Sequence, residues 1–282
     1  MQKVILVTGT SSGLGIDIAI QLAAQGHKIF ATMRNTDKKT ALLEAAEKAQ
    51  VSLSIKQLDV QNTDSVQRCV EQIIEQEGRI DVLINNAGAG FVRTTEQATE
   101  EEIEWVMDVN FKGVVRCIKA VLPHMRQARS GHVINISSVG GLIGQPFNEF
   151  YCAAKFAVEG YVESVSTYIT ANFGINFTNV EPGGIRSEFA NNALAQFQGG
   201  GGMKEDEYRP ILEKYIAGAG SRTEGVYQTS AEVAKVVTDC VNEPHPPIRV
   251  RTSPWAEQFC LLKTERDPSG LKQQQQVLKT ML

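Results

Sequence analysis

Apolar residues fall in short unbroken runs along this chain. Each run is followed by a longer stretch in which they recur every three or four positions. VILVTG (4–9) has no polar alternation, which predicts a strand buried on both faces. From about Gly13 to Gly26, Leu14, Ile18 and Leu22 share one side of a predicted helix. The same alternation continues. Further strands are predicted at 27–33, 51–60, 79–88, 131–138, 175–183 and 247–252. Helices are predicted after a turn at NTDKK, over 63–78 with Val66, Val70 and Ile73 inward, and roughly over 100–128, 151–173 and 230–243.

Strands alternating with helices imply βαβ units and a parallel sheet, and the right-handed crossover places helices on both faces. The expected fold is therefore α/β: a three-layer, Rossmann-like, doubly wound sheet. With no internal repeat and no dividing linker, residues 1–282 read as a single domain, with an insertion at about 187–230 and a C-terminal extension at about 252–282. GGGG (199–202) reads as a flexible loop tip. In open parallel sheets ligands sit beyond the carboxyl ends of the strands. TGTSSGLG, MRN, LDV, NNAG, ISS and EPGG each follow a predicted strand, so each lies on that edge.

Two of these segments suggest chemistry. Glycines 9, 13 and 15 between a strand and a helix permit a tight turn and close backbone approach to a pyrophosphate. The turn lacks the Gly-Lys-Ser/Thr ending of a P-loop, which argues against a nucleoside triphosphatase. In YCAAK (151–155), Tyr151 and Lys155 are four apart and share a helix face. A nearby cation favours the phenolate, but lowering a tyrosine pKa by about three units takes roughly 4 kcal/mol, much to ask of one lysine.

Composition narrows the field. The 282 residues are 42% hydrophobic and 21% charged with net charge −4, which does not suggest a nucleic-acid surface or a polybasic membrane anchor. No apolar run reaches the length of a transmembrane span, and a strand from about the third residue leaves no room for a leader. Five scattered cysteines without a C-x-x-C pair read as free thiols in a reducing, cytoplasmic setting. The four histidines lack metal-ligand spacing, so no catalytic metal is expected.

Taken together, the motifs resemble the short-chain dehydrogenase/reductase family. TGTSSGLG is similar to its glycine turn and NNAG (85–88) to its Asn-Asn-Ala-Gly motif. Asn110, Ser138, Tyr151 and Lys155 fill its four catalytic positions, and EPGG (181–184) with Ser187 resembles its nicotinamide-side motif. SSVGGLIGQPFNEFYCAAKFAVEG, ATMRN and RDPSG are similar to the branch of 17β-hydroxysteroid dehydrogenase type 1 and the photoreceptor-type retinol dehydrogenases.

The resemblance implies an NADP(H)-dependent oxidoreductase that interconverts a carbonyl and an alcohol on a lipophilic, steroid- or retinoid-like substrate. Tyr151 is then the acid/base. Lys155 lowers its pKa and holds the nicotinamide ribose, Ser138 steadies the substrate oxygen and Asn110 holds a relay water. Gly9, Ser11, Ser12, Gly13, Leu14 and Gly15 form the cofactor turn. Asp59 meets the adenine edge beside Val60; Asn86, Ala87 and Gly88 lie near the adenine-side ribose; and Pro182, Gly183 and Ser187 lie near the nicotinamide. Met33 occupies the usual position of an acid, so Arg34, helped by Ser12, is expected to read a 2′-phosphate.

The insertion becomes a small helical substrate lid. Its apolar side is expected to comprise Leu194, Phe197, Tyr208, Ile211, Leu212 and Tyr215, facing Leu142, Phe147 and Phe150. The lid has no histidine, which tells against a phenolic steroid. The resemblance also implies a homodimer through the helices at 100–128 and 151–173. Two alternatives remain at this stage. One is a β-ketoacyl-thioester reductase, for which Arg186 is the one basic candidate. The other is a non-catalytic NADP sensor, whose usual mark is a lost catalytic residue.

Overall fold

The computed structural model describes residues 1–202, 204–221 and 226–281. Seven strands form one parallel sheet in the order β3 (Ser54–Gln57), β2 (Lys28–Met33), β1 (Val4–Thr8), β4 (Val82–Asn85), β5 (Gly131–Ile136), β6 (Ile175–Glu181) and β9 (Arg249–Arg251). All five residues of β1 are buried, as an apolar run without alternation requires. On one face pack α3 (Thr63–Glu77), α5 (Gly113–Ala128) and α6 (Glu149–Phe173), with Val66, Ile118 and Val162 in a shared core. On the other pack α1 (Leu14–Ala24), α2 (Thr40–Lys48) and α9 (Ser230–Asn242), with Ile18, Leu42 and Val237. The doubly wound three-layer arrangement is the one the periodicity predicts.

Boundaries differ where side-chain chemistry changes within a run. The stretch 51–60 contributes only the four residues of β3, because Asp59 turns the chain, accepting from the Gln61 N–H at 3.0 Å. The helix expected over 100–128 is α4 (Glu100–Met107) and α5 joined by a wide π-turn at Asp108–Lys112. Asn110 causes the widening. Its amide donates to Val106 O at 3.0 Å and to Ala89 O at 2.9 Å, competing with the regular ladder.

The insertion holds two helices, α7 (Glu188–Gly199) and α8 (Arg209–Ser221), and is closed at its base by a short parallel pair, β7 (Gly184–Arg186) just before it with β8 (Tyr227–Thr229) at its end. The C-terminal extension forms α10 (Pro254–Thr264) and α11 (Leu271–Met281). Among the described residues no helix is long and apolar enough to cross a membrane.

A polar seam crosses the middle of the sheet. Asn85, Asn135 and Asn179 are in register on β4, β5 and β6. Asn85 donates to Asn135 at 2.9 Å, Asn135 to Asn179 at 3.1 Å, and Asn179 to Glu159 Oε2 on α6 at 2.7 Å. All four side chains are buried, so each bond replaces water that cannot reach them.

Asn135 has a seam partner on each side, and removing it orphans a donor on Asn85 and an acceptor on Asn179. Asn135→Ala should therefore lower the unfolding free energy by about 2–4 kcal/mol in urea titrations. A loss below about 1 kcal/mol would mean that the neighbours re-pair and the seam is not a unit.

Candidate active site

The sheet order reverses direction between β1 and β4, and the glycine turn sits at the carboxyl end of that switch point. Asn86 donates from one amide nitrogen to Thr8 O and Gly9 O, both at 2.9 Å. Thr8 Oγ1 accepts in return from the N–H groups of Asn86 and Ala87, each at 3.0 Å. The turn and the Asn-Asn-Ala-Gly segment are thus one bonded unit. A Cβ on Gly9 would lie 2.7 Å from Ala87 Cα, and one on Gly15 would lie 2.2 Å from Gly9 O. Gly13 begins α1 at φ 56° with no side-chain cap; the Ile16 N–H turns in to Gly13 O at 3.0 Å, and the N–H groups of Leu14 and Gly15 ahead of it are the ones open to an anion.

Leu14, Asn86, Gly88, Pro182, Gly183 and Ser187 line one cavity of about 280 Å³ with Ser138, Tyr151 and Lys155. Gly9, Ser11, Ser12, Gly13, Gly15 and Ala87 belong to the bonded turn beside it; Arg34, Asp59 and Val60 follow β2 and β3 farther along the carboxyl edge. Val60 packs against Gly113 at the start of α5, and its carbonyl accepts from Arg116 at 3.1 Å. The Arg34 side chain is exposed and has no hydrogen-bond or ion-pair partner among the described residues. Met33, by contrast, is buried in the core with Leu42. A carboxylate placed there would enter the apolar interior before it reached a ribose.

Tyr151 and Lys155 lie in the first two turns of α6, with the ammonium 5.7 Å from the centre of the phenol ring. Lys155 is only 5% exposed, and Nζ donates to Ile136 O at 2.9 Å, at the end of β5. Burial pushes its pKa down to about 8, against the raising influence of Glu159 one turn on. Burial pushes the Tyr151 phenol up to about 12, only partly offset by its hydrogen bond with Ser138. Lys155 does not outweigh this burial, and the phenol is protonated at neutral pH.

Ser138 Oγ accepts from Gly140 N at 2.9 Å, which fixes its rotamer. Asn110 is fully buried, with both amide hydrogens committed to backbone carbonyls and Oδ1 accepting from Ala89 N at 3.1 Å. The side chain therefore has no donor left for the expected relay water, only acceptor capacity on Oδ1. Ser137, beside Ser138, donates to Glu159 behind the site. Glu159 also faces Glu181, and burial raises the pKa of both carboxyls.

The lid places its apolar residues differently from the expected pattern. Phe197 and Leu212 pack on Phe147 of the body, while Leu194 and Ile211 are exposed and Tyr208 donates to Glu96. Phe150 meets Phe91 edge to face. Of the six lid residues, Tyr215 is the one that reaches the cavity, where its hydroxyl accepts from Asn148 at 3.0 Å. The other aromatic walls are Phe189, Tyr227 and Trp255. Phe189 meets Tyr151 edge to face at 6.0 Å, and Trp255 reaches back from α10. Sequence periodicity did not mark these three, because each lies at an element end where helical spacing carries no signal.

A family profile described as short chain dehydrogenase matches residues 3–197, and the chain belongs to that family. It is 39% identical to retinol dehydrogenase 8 of Bos taurus, over 95% of this chain and 86% of the relative. It is 38% identical to 3-ketodihydrosphingosine reductase of Bacteroides thetaiotaomicron, over 90% and 89%. It is 36% identical to human 17-beta-hydroxysteroid dehydrogenase type 1, over 95% and 83%. The resemblance to the steroid and retinol branch therefore holds along nearly the whole chain.

Among solved structures, a short-chain dehydrogenase from Streptomyces avermitilis superposes with a TM-score of 0.78 at 28% identity, covering 99% of this chain and 98% of that one. Actinorhodin polyketide ketoreductase with NADPH gives 0.75 at 26%, covering 89% and 96%. A Burkholderia phymatum relative in complex with NAD gives 0.79 at 21%, covering 94% and 93%, a likeness of fold.

The depressed Lys155 pKa has a consequence for stability. Below about pH 8 the folded protein carries the full cost of a buried ammonium. Between about 8 and the ordinary 10.5 the folded state releases the proton first, so this contribution to stability rises with pH. In urea unfolding at about pH 7.5 and about pH 9.5, wild type should gain about 1–3 kcal/mol on Lys155→Met at the higher pH. An unchanged difference would mean that the ammonium is solvated.

Proposed function

We propose that the chain is an NADP(H)-dependent oxidoreductase that interconverts a carbonyl and an alcohol on a lipophilic substrate. The observation that carries this reading is the shared cavity: Ser138, Tyr151 and Lys155 converge on a space walled by Phe189, Tyr215, Tyr227 and Trp255. Such walls suit an apolar ring system or polyene better than a sugar.

The residues present fit a dinucleotide. The uncapped start of α1 suits a pyrophosphate, and Arg34 offers an unpartnered cation for a 2′-phosphate. A Cβ on Gly88 would lie 3.0 Å from Asn110 Oδ1 and 3.7 Å from Lys155 Nζ, so the glycine keeps the floor beside the lysine open. When bound, the nicotinamide supplies or accepts the hydride. The protonated Tyr151 donates its proton to the carbonyl oxygen in reduction and recovers it from the alcohol in oxidation. Ser138 donates a hydrogen bond to the same oxygen as charge develops there. Lys155 stabilises the phenolate left behind and binds the ribose hydroxyls. Asn110 pins the 87–89 loop to the π-turn and so holds the floor of the site. The intact set of four tells against a non-catalytic NADP sensor.

A second reading, reduction of a 3-keto group on an acyl or sphingoid-like chain, is favoured by the similarity to 3-ketodihydrosphingosine reductase. Arg186 supports carrier-protein docking only weakly, because Glu232 lies in its field. NADPH-dependent reduction of all-trans-retinal, a ketosteroid and an acetoacetyl thioester, followed side by side, separates the readings. Turnover of the thioester alone would remove the first. The chain is further proposed to act as a homodimer through α4, α5 and α6, where Tyr168 is exposed. Light scattering showing only monomer at micromolar concentration would reject that.

Tyr151→Phe should lower turnover at least about 100-fold while NADPH affinity stays within a few-fold. A variant retaining more than about a tenth of wild-type turnover would remove Tyr151 from the acid/base role. Arg34→Ala should weaken NADPH about 10- to 150-fold, the value of a charge-assisted bond of about 1.5–3 kcal/mol, and leave NADH almost unchanged. An equal loss for both cofactors would show that this turn does not read the phosphate.

A further inference from the structure

Arg93 is a buried arginine shortly after the Asn-Asn-Ala-Gly segment, and no motif above includes it. It is 3% exposed, and both terminal nitrogens of its guanidinium are hydrogen-bonded. It donates to Phe197 O at 3.3 Å, Gly200 O at 2.6 Å and Gly202 O at 3.3 Å, the carbonyls that end the lid helix α7. Glu102 on α4 balances the charge at 3.6 Å, and the Phe197 ring lies 4.9 Å beneath the guanidinium carbon. A cation at a helix C-terminus meets both unpaired carbonyls and the negative end of the helix dipole. The glycine run is the mould for this contact. A Cβ on Gly200 would lie 2.2 Å from Arg93 Nη2, and Gly201 and Gly202 adopt φ 97° and 63°. GGGG is therefore a fitted socket, where the sequence suggested a loose tip.

The backbone of Arg93 is committed elsewhere. Its N–H donates to Phe147 O at 3.0 Å, and Arg93 bridges to Asn148, the residue before α6. Phe147 is held at φ 61°, a left-handed conformation a bulky residue adopts only when its surroundings over-determine it. One residue thus links the start of the helix bearing Tyr151 and Lys155 to the far end of the lid helix. The near end of that lid helix carries Phe189 against Tyr151. Gly90 lets the helix lie close, since a Cβ there would be 2.7 Å from Ala193 Cβ.

We propose that Arg93 is a positioning residue for the reaction: by clamping the C-terminus of α7 it sets where Phe189 stands over Tyr151, and so how tightly the lipophilic substrate is held. The part concerning substrate rests on the function proposed above; the clamp itself does not.

The test uses the full chain with Arg93→Met, Arg93→Lys and Gly200→Ala, the last displacing the guanidinium from an exposed position. Hydrogen exchange reports the clamp without any turnover. Amides of 188–199 should exchange at least about tenfold faster in Arg93→Met and Gly200→Ala, while those of α1 and α9 are unchanged. With all-trans-retinal and NADPH, KM should rise at least about tenfold with kcat within about threefold and NADPH Kd within about twofold. Arg93→Lys, a point charge that reaches fewer carbonyls, should fall between wild type and Arg93→Met on both readouts. Unchanged exchange over 188–199 in both disrupting variants would overturn the clamp. Faster exchange with unchanged KM, or a matched fall in kcat and cofactor affinity, would overturn the positioning role. Absence of wild-type turnover with retinal, ketosteroid and thioester alike would count against the proposed function, while the exchange data still decide the clamp.

Discussion

The amide of Asn86 bonds to the last two carbonyls of the β1 edge, and much of the molecule follows from that tie. A parallel sheet brings all its carboxyl ends to one side, and only at a reversal of strand order do two neighbouring loops part and leave a crevice. Here the reversal lies between β1 and β4. Left alone, two such loops would splay. Asn86 and Thr8 stitch them together with reciprocal bonds, and the absence of side chains at Gly9 and Gly15 lets the backbones touch. The crevice therefore has a rigid floor. The start of α1 is aimed into it from one side and the start of α6 borders it from the other.

Helix α6 brings a problem of its own, because it carries an ammonium into that floor. A buried lysine is disfavoured unless its charge is met. Ile136 O and the nearby Glu159 meet it in part, and its lowered pKa records what remains uncompensated. Tyr151 carries the opposite burden, a phenol whose ionised form is even less welcome. The two perturbations are complementary. A phenolate standing beside the ammonium would meet both needs at once. The same burial makes the pair responsive to any charge brought close to it.

Around this floor the fold is asymmetric. The half built from β1, β2 and β3 is closed by bonds between backbone and short polar side chains. The other half is closed by the lid, whose contact with the body combines the Phe147–Phe197–Leu212 cluster with the hydrogen bonds from the buried Arg93 guanidinium to the carbonyls of Phe197, Gly200 and Gly202. A buried charge is sensitive to position in a way that apolar packing is not. The guanidinium is satisfied only when three specific carbonyls surround it, so it selects one arrangement of the lid over its neighbours.

The layers and the parallel sense of the sheet were legible in the sequence, as was the family to which Tyr151 and Lys155 point, because these rest on local information. Unbroken apolar runs must be buried on both sides, and helical stripes need a sheet to cover. Tyr151 and Lys155 share a face through helix geometry alone. Tertiary structure decided the rest. The π-turn at Asn110 arises because its amide finds the backbone of Ala89, distant in sequence. The cavity walls Phe189, Tyr227 and Trp255 come from three separate element ends that no periodicity connects. Phe197 and Leu212 looked like a substrate surface and became packing, since an apolar residue is drawn equally to a ligand and to a neighbouring Phe147. The glycine run became a socket only because a buried cation, contributed from a hundred residues away, stands inside it. Hydrophobicity and helix geometry act over a few residues and can be read along the chain. Charge compensation and cavity shape depend on which distant groups the fold brings within hydrogen-bonding distance.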